Sequence, residues 1–180
     1  MLAVMVFVYG LLVGSFLNAW VWRLHTRRKV SKGRSMCPHC KTPLRWYELI
    51  PVFSWLVLRG KCRTCHKPIS WQYPTVELAN AAVWVSLFFY LNPANTLEWV
   101  SLLAWLALAS LLLAALVYDA KWMLLPDAFM VPAVVVALVI AVVSAVGMGS
   151  LSELIARLVA AILFGGIFFL IWFISKGSWI

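Results

Sequence analysis

Two Cys-x-x-Cys pairs, Cys37-Pro38-His39-Cys40 and Cys62-Arg63-Thr64-Cys65, sit in one basic segment that interrupts an otherwise membrane-like sequence. Separated by residues 41–61, the pairs can bring four thiolates to the corners of a tetrahedron, the geometry Zn²⁺ takes in closed structural sites. Every cysteine of the chain is used, which favours a metal over free thiols, two disulfides or redox chemistry. Cys37, Cys40, Cys62 and Cys65 are therefore the predicted zinc ligands of a zinc-ribbon-like loop. Four sulfur ligands leave no open position for water, so the metal is expected to staple the loop and not to catalyse. His39 and His66 each adjoin a ligand and are expected to be solvated neighbours.

Composition decides the surroundings of that loop. Hydrophobic residues make up 64% of the 180 residues and charged ones 12%, with 11 Trp, which excludes an ordinary soluble domain. The chain reads as an all-α polytopic membrane protein with about five transmembrane helices. Its net charge of +9 invites a nucleic-acid partner, but the distribution argues against one. Of 15 Lys and Arg, all but Lys121, Arg157 and Lys176 lie between Arg23 and Lys67, in the segment with the cysteines. Short loops of that kind stay in the cytoplasm. The Cys loop is thus placed inside and the N-terminus outside, and a reducing cytoplasm agrees with metal-bound thiolates.

Five apolar runs are expected to cross the membrane: residues 1–22, a second starting near Tyr73 and reaching Leu91, then about Leu97 to Tyr118, Phe129 to Val146, and Leu158 to Ile174, with Lys176 ending the last one inside. Asn92-Pro93-Ala94-Asn95 and Gly147 to Ser150 read as outer turns, and Arg157 is expected to snorkel at the outer end. In domain terms, residues 1–22 form the first transmembrane helix, 23–72 the cytoplasmic four-cysteine zinc-binding domain and 73–180 the remaining transmembrane domain. The apolar island Leu49 to Leu58 is too short to span and is expected at the interface or packed under the bundle. In the first span, Gly10 and Gly14 stand four apart with Ser15 and Asn18 below them. They are either a close-approach face or incidental small residues, whereas the Asn18 amide needs a hydrogen-bond partner.

Ionisable groups near membrane depth are few: Glu77, Glu98, Asp119, Asp127, Glu153 and Arg157. Such groups are functional candidates by default. Glu77, at the inner mouth of the second span, either pairs with a loop Arg or Lys or lines a polar site. Asp119 is the best placed, following an unbroken apolar run at the inner boundary. An aspartyl protease needs two carboxylates sharing a proton. Asp119 and Asp127, eight residues apart and so ~12 Å along a continuous helix, do not readily form that pair, and Pro126 would bend the segment.

These residues carry a resemblance. Gly14-Ser15-Phe16-Leu17-Asn18, Cys37-Pro38-His39-Cys40, Glu48-Leu49-Ile50-Pro51-Val52-Phe53-Ser54-Trp55, Arg59-Gly60-Lys61-Cys62-Arg63-Thr64-Cys65 and Tyr73-Pro74-Thr75-Val76-Glu77-Leu78 resemble, in that order, the amino-terminal domain of type IV prepilin peptidases. Asp119 through Leu124-Leu125-Pro126-Asp127 resembles the family's first catalytic aspartate block. The resemblance implies an inner-membrane enzyme that cuts the basic leader from prepilins or pseudopilins and then methylates the new N-terminus with S-adenosylmethionine. It implies Asp119 as the first catalytic aspartate and the four cysteines as zinc ligands of the cytoplasmic domain. Glu48 and Glu77 are the residues suggested for contact with a positive leader; the partners are otherwise membrane lipid, with no nucleic acid. No Gly-rich nucleotide loop is recognisable, so no cofactor-binding residue is assigned. The family's second aspartate, in a Gly-x-Gly-Asp motif, has no counterpart in the sequence, and Gly165-Gly166-Ile167 is no substitute. The chain is therefore expected to be truncated relative to that family and inactive as a peptidase by itself. A non-catalytic membrane zinc-ribbon scaffold, a fragment with methyl transfer alone and a small transporter component are the other readings.

Overall fold

The computed structural model describes residues 1–30 and 33–174. The chain runs α1 (Leu2–His25), a 3₁₀ turn (Trp46–Leu49), α2 (Phe53–Val57), α3 (Gln72–Leu91), α4 (Thr96–Trp122), α5 (Asp127–Met148) and α6 (Leu151–Ile174). Among the described residues there is no strand; the only ladder contacts are two isolated bridges, Met36 with Pro43 and Lys61 with Pro68. Helices α1, α3, α4 and α5 are each long and apolar enough to cross a membrane. The fifth expected span corresponds to α6, which begins at Leu151 and not at Leu158. Lys176, expected to close that span, lies outside the described residues. The protein is a multi-pass membrane protein, and its long helices satisfy their backbone polar groups internally, as hydrocarbon requires.

Packing in the bundle inverts the soluble pattern. Large apolar side chains such as Val4, Val8 and Phe16 on α1, or Leu103 and Leu116 on α4, point outward, while Gly10, Gly14, Asn18, Asn80, Ser110 and Ala81 are buried. Small residues let helices approach, and polar ones bond across them. A Cβ added at Gly10 would lie 2.7 Å from Ala81 Cα, and one at Gly14 2.7 Å from Glu77 Cα. The glycine pair is therefore the face of α1 that meets α3. Asn18 Nδ2 donates to the Tyr73 carbonyl at 3.1 Å, and its Oδ1 accepts from Gln72 Nε2 at 3.2 Å. Lower on the same seam, Asn80 Nδ2 donates to the Gly10 carbonyl at 2.8 Å and its Oδ1 accepts from Ser110 Oγ at 3.0 Å, joining α1, α3 and α4.

The end of the bundle nearest the Cys loop is closed by aromatic contacts. Leu17 and Val21 of α1, Ala114, Ala115 and Tyr118 of α4 and Phe129 of α5 form its core. Trp20 meets Phe129 edge-on at 5.0 Å between ring centroids. His25, at the last turn of α1, stacks on Trp122, at the last turn of α4, with 4.0 Å between ring centroids. At the other end Glu98 serves as a cap: its Oε2 accepts from the Ala94 N–H at 2.7 Å, and Asn95 Oδ1 accepts from the Glu98 N–H at 3.0 Å. That capping box starts α4 and gives Glu98 a structural role.

Replacing Gly14 with alanine tests the seam. The new methyl must displace backbone of α3, so Gly14→Ala is expected to lower stability by about 1–3 kcal/mol, in the range of overpacked cores. Thermal unfolding in detergent checks this, and an unchanged or raised midpoint would sink the close-approach claim.

Candidate functional site: a four-cysteine cap, a buried carboxylate and an exposed aspartate

The cap is built from two copies of one knuckle. In the first, the Cys37 N–H donates to Thr42 O (3.0 Å), the Lys41 N–H to Cys37 O (2.9 Å) and the Leu44 N–H to Ser35 O (2.8 Å). The second repeats this: the Cys62 N–H to Lys67 O (2.9 Å), the His66 N–H to Cys62 O (2.9 Å) and the Ile69 N–H to Gly60 O (2.7 Å). Lys41 and His66, at matching positions, both adopt positive φ, 58° and 55°. The turns aim the cysteine side chains at one another, and all four Sγ atoms lie within 4.8 Å of each other. Cys37 and Cys65 are 3.9 Å apart, Cys40 and Cys62 4.0 Å. A tetrahedron of metal–sulfur bonds of ~2.3 Å has edges of ~3.8 Å, so the cluster fits a thiophilic ion. His39 and His66 are exposed and outside the cluster.

Electrostatics of the cluster point the same way. The Thr42 hydroxyl and backbone N–H hold the Cys40 thiol down to about 6, and the backbone N–H of Cys65 lowers Cys62. Cys65, although the Lys67 N–H favours its thiolate, is pushed up to about 11 by desolvation and by the neighbouring cysteines Cys62, Cys40 and Cys37. Thiolates so close oppose the ionisation of the last one, and a cation at their centre would remove that opposition.

Two side chains tie the cap to the membrane helices. Trp55 of α2 donates its indole N–H to the Ile69 carbonyl at 3.1 Å, packs at a 49° tilt on Trp71 with 4.1 Å between ring centroids, and covers Gly60, where φ is 66° and an added Cβ would lie 2.8 Å from the ring. Glu77, one turn into α3, is 5% exposed and accepts the Val52 N–H at 2.7 Å. Val52 has φ 59° and ψ −52°, with the Phe53 N–H donating back to Pro51 O, which makes Pro51–Phe53 a γ-turn. Such a conformation is costly for a β-branched residue and persists because the carboxylate below holds it. Ser15 of α1 lines the same cavity as Glu77. No Arg or Lys among the described residues pairs with Glu77, so of its two expected roles the loop ion pair is absent. That pairing goes instead to Glu48, which meets Arg63 at 3.3 Å and accepts the Arg45 N–H at 2.7 Å. The apolar island is α2 and its flanks, with Phe53, Leu56 and Val57 exposed.

Asp119 lies in the last turn of α4 and is exposed. Its carbonyl accepts the Met123 N–H at 2.7 Å, and Met123, at φ 52°, ends the helix. Asp127 is the first residue of α5, also exposed, at a helix N-terminus that favours its charge. The two aspartates are thus on different helices, and a distance along one continuous helix does not apply to them. Between the cap and the ends of α1 and α3 lies a cavity of about 400 Å³, lined by Glu77, Ser15, Trp22, Trp55 and Lys121 among others. Glu77 reaches it and Asp119 does not. Nothing in the sequence distinguished the two carboxylates in this respect; the signal available was the Glu48-to-Trp55 run, whose backbone donor Glu77 receives.

The fold and site define a class: a helical membrane protein whose first two long helices bracket a cap with four converging thiols. Residues 8–91 match the model of the Bacterial Peptidase A24 N-terminal domain. It is similar to a "Prepilin leader peptidase/N-methyltransferase" of Myxococcus xanthus (strain DK1622), 38% identical over 140 residues, covering 77% of this chain and 40% of that protein. It is equally similar to the protein of that name from Klebsiella pneumoniae, 38% identical over 132 residues, 70% of this chain and 56% of the relative. A third, from Vibrio cholerae serotype O1, is 36% identical over 135 residues, 69% and 51%. These findings agree with the resemblance to type IV prepilin peptidases that the motifs carry. The chain spans about half the length of the curated relatives it matches. No solved structure matches it.

Proposed function

We propose that this chain is the metal-capped part of a membrane aspartic endopeptidase that cuts the leader of type IV prepilins or pseudopilins and N-methylates the new terminus, with Asp119 as its first catalytic aspartate. The observation that carries the reading is the His25–Trp122 stack, which holds the last turn of α4, and with it Asp119, at the same end of the bundle as the four-cysteine cap. In this reading the basic loop faces the cytoplasm of an inner membrane, the N-terminus lies outside, and residues 1–22, 23–72 and 73–180 are the first helix, the cap domain and the peptidase domain. A prepilin presents a basic leader in the cytoplasm and an apolar helix in the bilayer, so its scissile bond lies at the depth where Asp119 is exposed.

Two carboxylates divide such a hydrolysis. One, ionised, takes the proton of the attacking water; the other, protonated, donates to the scissile carbonyl as it becomes tetrahedral. Asp119 supplies one of them. Glu48 is bound to Arg63, Glu77 to the Val52 N–H, and Glu98 to a helix cap. The second carboxylate is assigned to a Gly-x-Gly-Asp segment, which this sequence lacks. For methyl transfer, S-adenosylmethionine supplies an electrophilic methyl group when bound. In the cap, Cys37, Cys40, Cys62 and Cys65 would hold Zn²⁺, which would staple the two knuckles.

Leader cleavage in membranes tests the peptidase reading. The 180-residue chain by itself is expected to leave a prepilin uncut. Joined to a segment that carries Gly-x-Gly-Asp, it is expected to cut, and Asp119→Asn to slow that cleavage by ~10²–10⁴, the scale of general acid–base catalysis. Cleavage unaffected by Asp119→Asn would reduce the protein to a scaffold.

Metal analysis tests the cap. One zinc per chain is expected, with Cys62→Ser losing it and lowering the unfolding temperature. Acid should release the metal because protons compete for the thiolates, so affinity falls as pH falls. Metal-free protein with unchanged stability would remove zinc from the structure.

A further inference from the structure

We propose that α2 is an interfacial anchor: its outer apolar face lies in the acyl-chain boundary of the membrane, and the basic residues on either side of it bind anionic lipid headgroups, so that lipid helps to seat the cap. This goes beyond the peptidase reading and depends on neither of its chemistries.

Two contacts fix the depth of α2 on the bundle. The Val52 N–H, at its start, donates to Glu77 at 2.7 Å, and the Trp55 ring, in its middle, lies 4.1 Å from that of Trp71. Trp71 precedes and Glu77 follows the start of α3, a helix long and apolar enough to cross a membrane. The short helix is therefore level with the end of a span and not out in bulk water. Trp71 and Leu78, seven positions apart and so on one face of α3, are both exposed, which makes the side of α3 that meets Trp55 an outward one.

Three side chains cover the outer face of α2. Phe53, Leu56 and Val57 recur at the i, i+3, i+4 spacing of a single helical stripe and are 60%, 59% and 64% exposed. Trp55 turns to the other side, onto Ile69 and Gly60. Leu49 and Ile50, also exposed, extend the patch towards the 3₁₀ turn. Such a patch marks an interaction surface. One helical turn falls far short of the ~20–30 residues a side of a stable protein interface. It suits a monotopic anchor, which buries its apolar face ~5–10 Å into the boundary between headgroups and acyl chains.

Charge complementarity favours lipid as the occupant. Arg45 immediately precedes the 3₁₀ turn, Arg59 follows α2 with its N–H donating to Leu56 O at 3.0 Å, and Lys61 lies two residues further on. All three are exposed, and no carboxylate among the described residues pairs with them. An apolar stretch bracketed by cations complements an acyl layer beneath anionic headgroups. Because Trp55 holds the second knuckle through Ile69 and Gly60, seating α2 in lipid and closing the cap over the bundle are coupled.

Photolabelling of the whole chain in nanodiscs tests this without any turnover. Bilayers of one mixed composition carry a diazirine on the acyl chain of either phosphatidylglycerol or phosphatidylcholine, and mass spectrometry maps the adducts. Residues 49–57 are expected to be labelled alongside the outward residues of α1. The phosphatidylglycerol probe should label them about fivefold more than the phosphatidylcholine probe, the scale of one Lys or Arg at an anionic surface. Arg45→Gln combined with Arg59→Gln should bring that ratio towards one. Leu56→Asn combined with Val57→Asn should cut labelling of the segment severalfold and leave the labels on α1 unchanged. Unfolding temperature establishes that each variant is folded. If residues 49–57 of the wild type stay unlabelled by both probes while α1 is labelled, the anchor falls, whether a peptide or a second copy of the chain covers the face. Equal labelling by the two probes, or a ratio unmoved in the folded arginine variant, would remove the headgroup contact.

Discussion

The contact between α1 and α3 sets the geometry of everything above it. Backbones approach closely only where a side chain is missing, and Gly10 and Gly14 provide that gap against Ala81 and Glu77. In lipid no hydrophobic force drives helices together, so close packing and internal hydrogen bonds must do it. Asn18 and Asn80 supply the bonds, each reaching backbone carbonyls that a bulkier seam would hold out of range. The same approach buries the first turns of α3, and with them Glu77, against α1.

From that point the cap follows. A carboxylate buried at the head of α3 accepts the Val52 N–H and so holds a γ-turn that a valine would not adopt unaided. The turn launches α2, and Trp55 of α2 locks onto the second knuckle through Ile69 and Gly60. Membrane seam, strained turn, tryptophan and cysteine cluster thus form one mechanical series. It explains how a loop rich in mutually repelling cations can stay closed over the bundle. A few directed contacts and four thiols close enough to share a metal oppose the repulsion.

Much of this was legible in the sequence, for identifiable reasons. The metal-ligand spacing of the cysteines and the apolar runs are signals of period and composition, and they gave the convergence of Cys37, Cys40, Cys62 and Cys65 and the long helices. Helix ends were less legible: α4 runs past Tyr118 to Trp122, so Asp119 falls inside its last turn, because aromatic packing with His25 and Phe129 sustains the helix beyond the apolar run. The start of α6 at Leu151 was not legible from hydropathy, because Glu153 and Arg157 interrupt the apolar run there although both are compatible with a helix. Glu77 was seen as a candidate but its partner was not. A backbone N–H is offered by nearly every residue, so no side-chain pattern announces that Val52 presents one.

The carboxylates at the cap end of the bundle sit in opposite surroundings. Asp119 is exposed at a helix end with its turn anchored by the His25–Trp122 stack. Glu77 is buried between the bundle and the cap, where the Val52 N–H fixes it. The cluster that could hold a metal consists of the four thiols alone and includes neither carboxylate; a closed thiolate shell would leave no vacancy for water, so such an ion would hold the cap rigid and do no more.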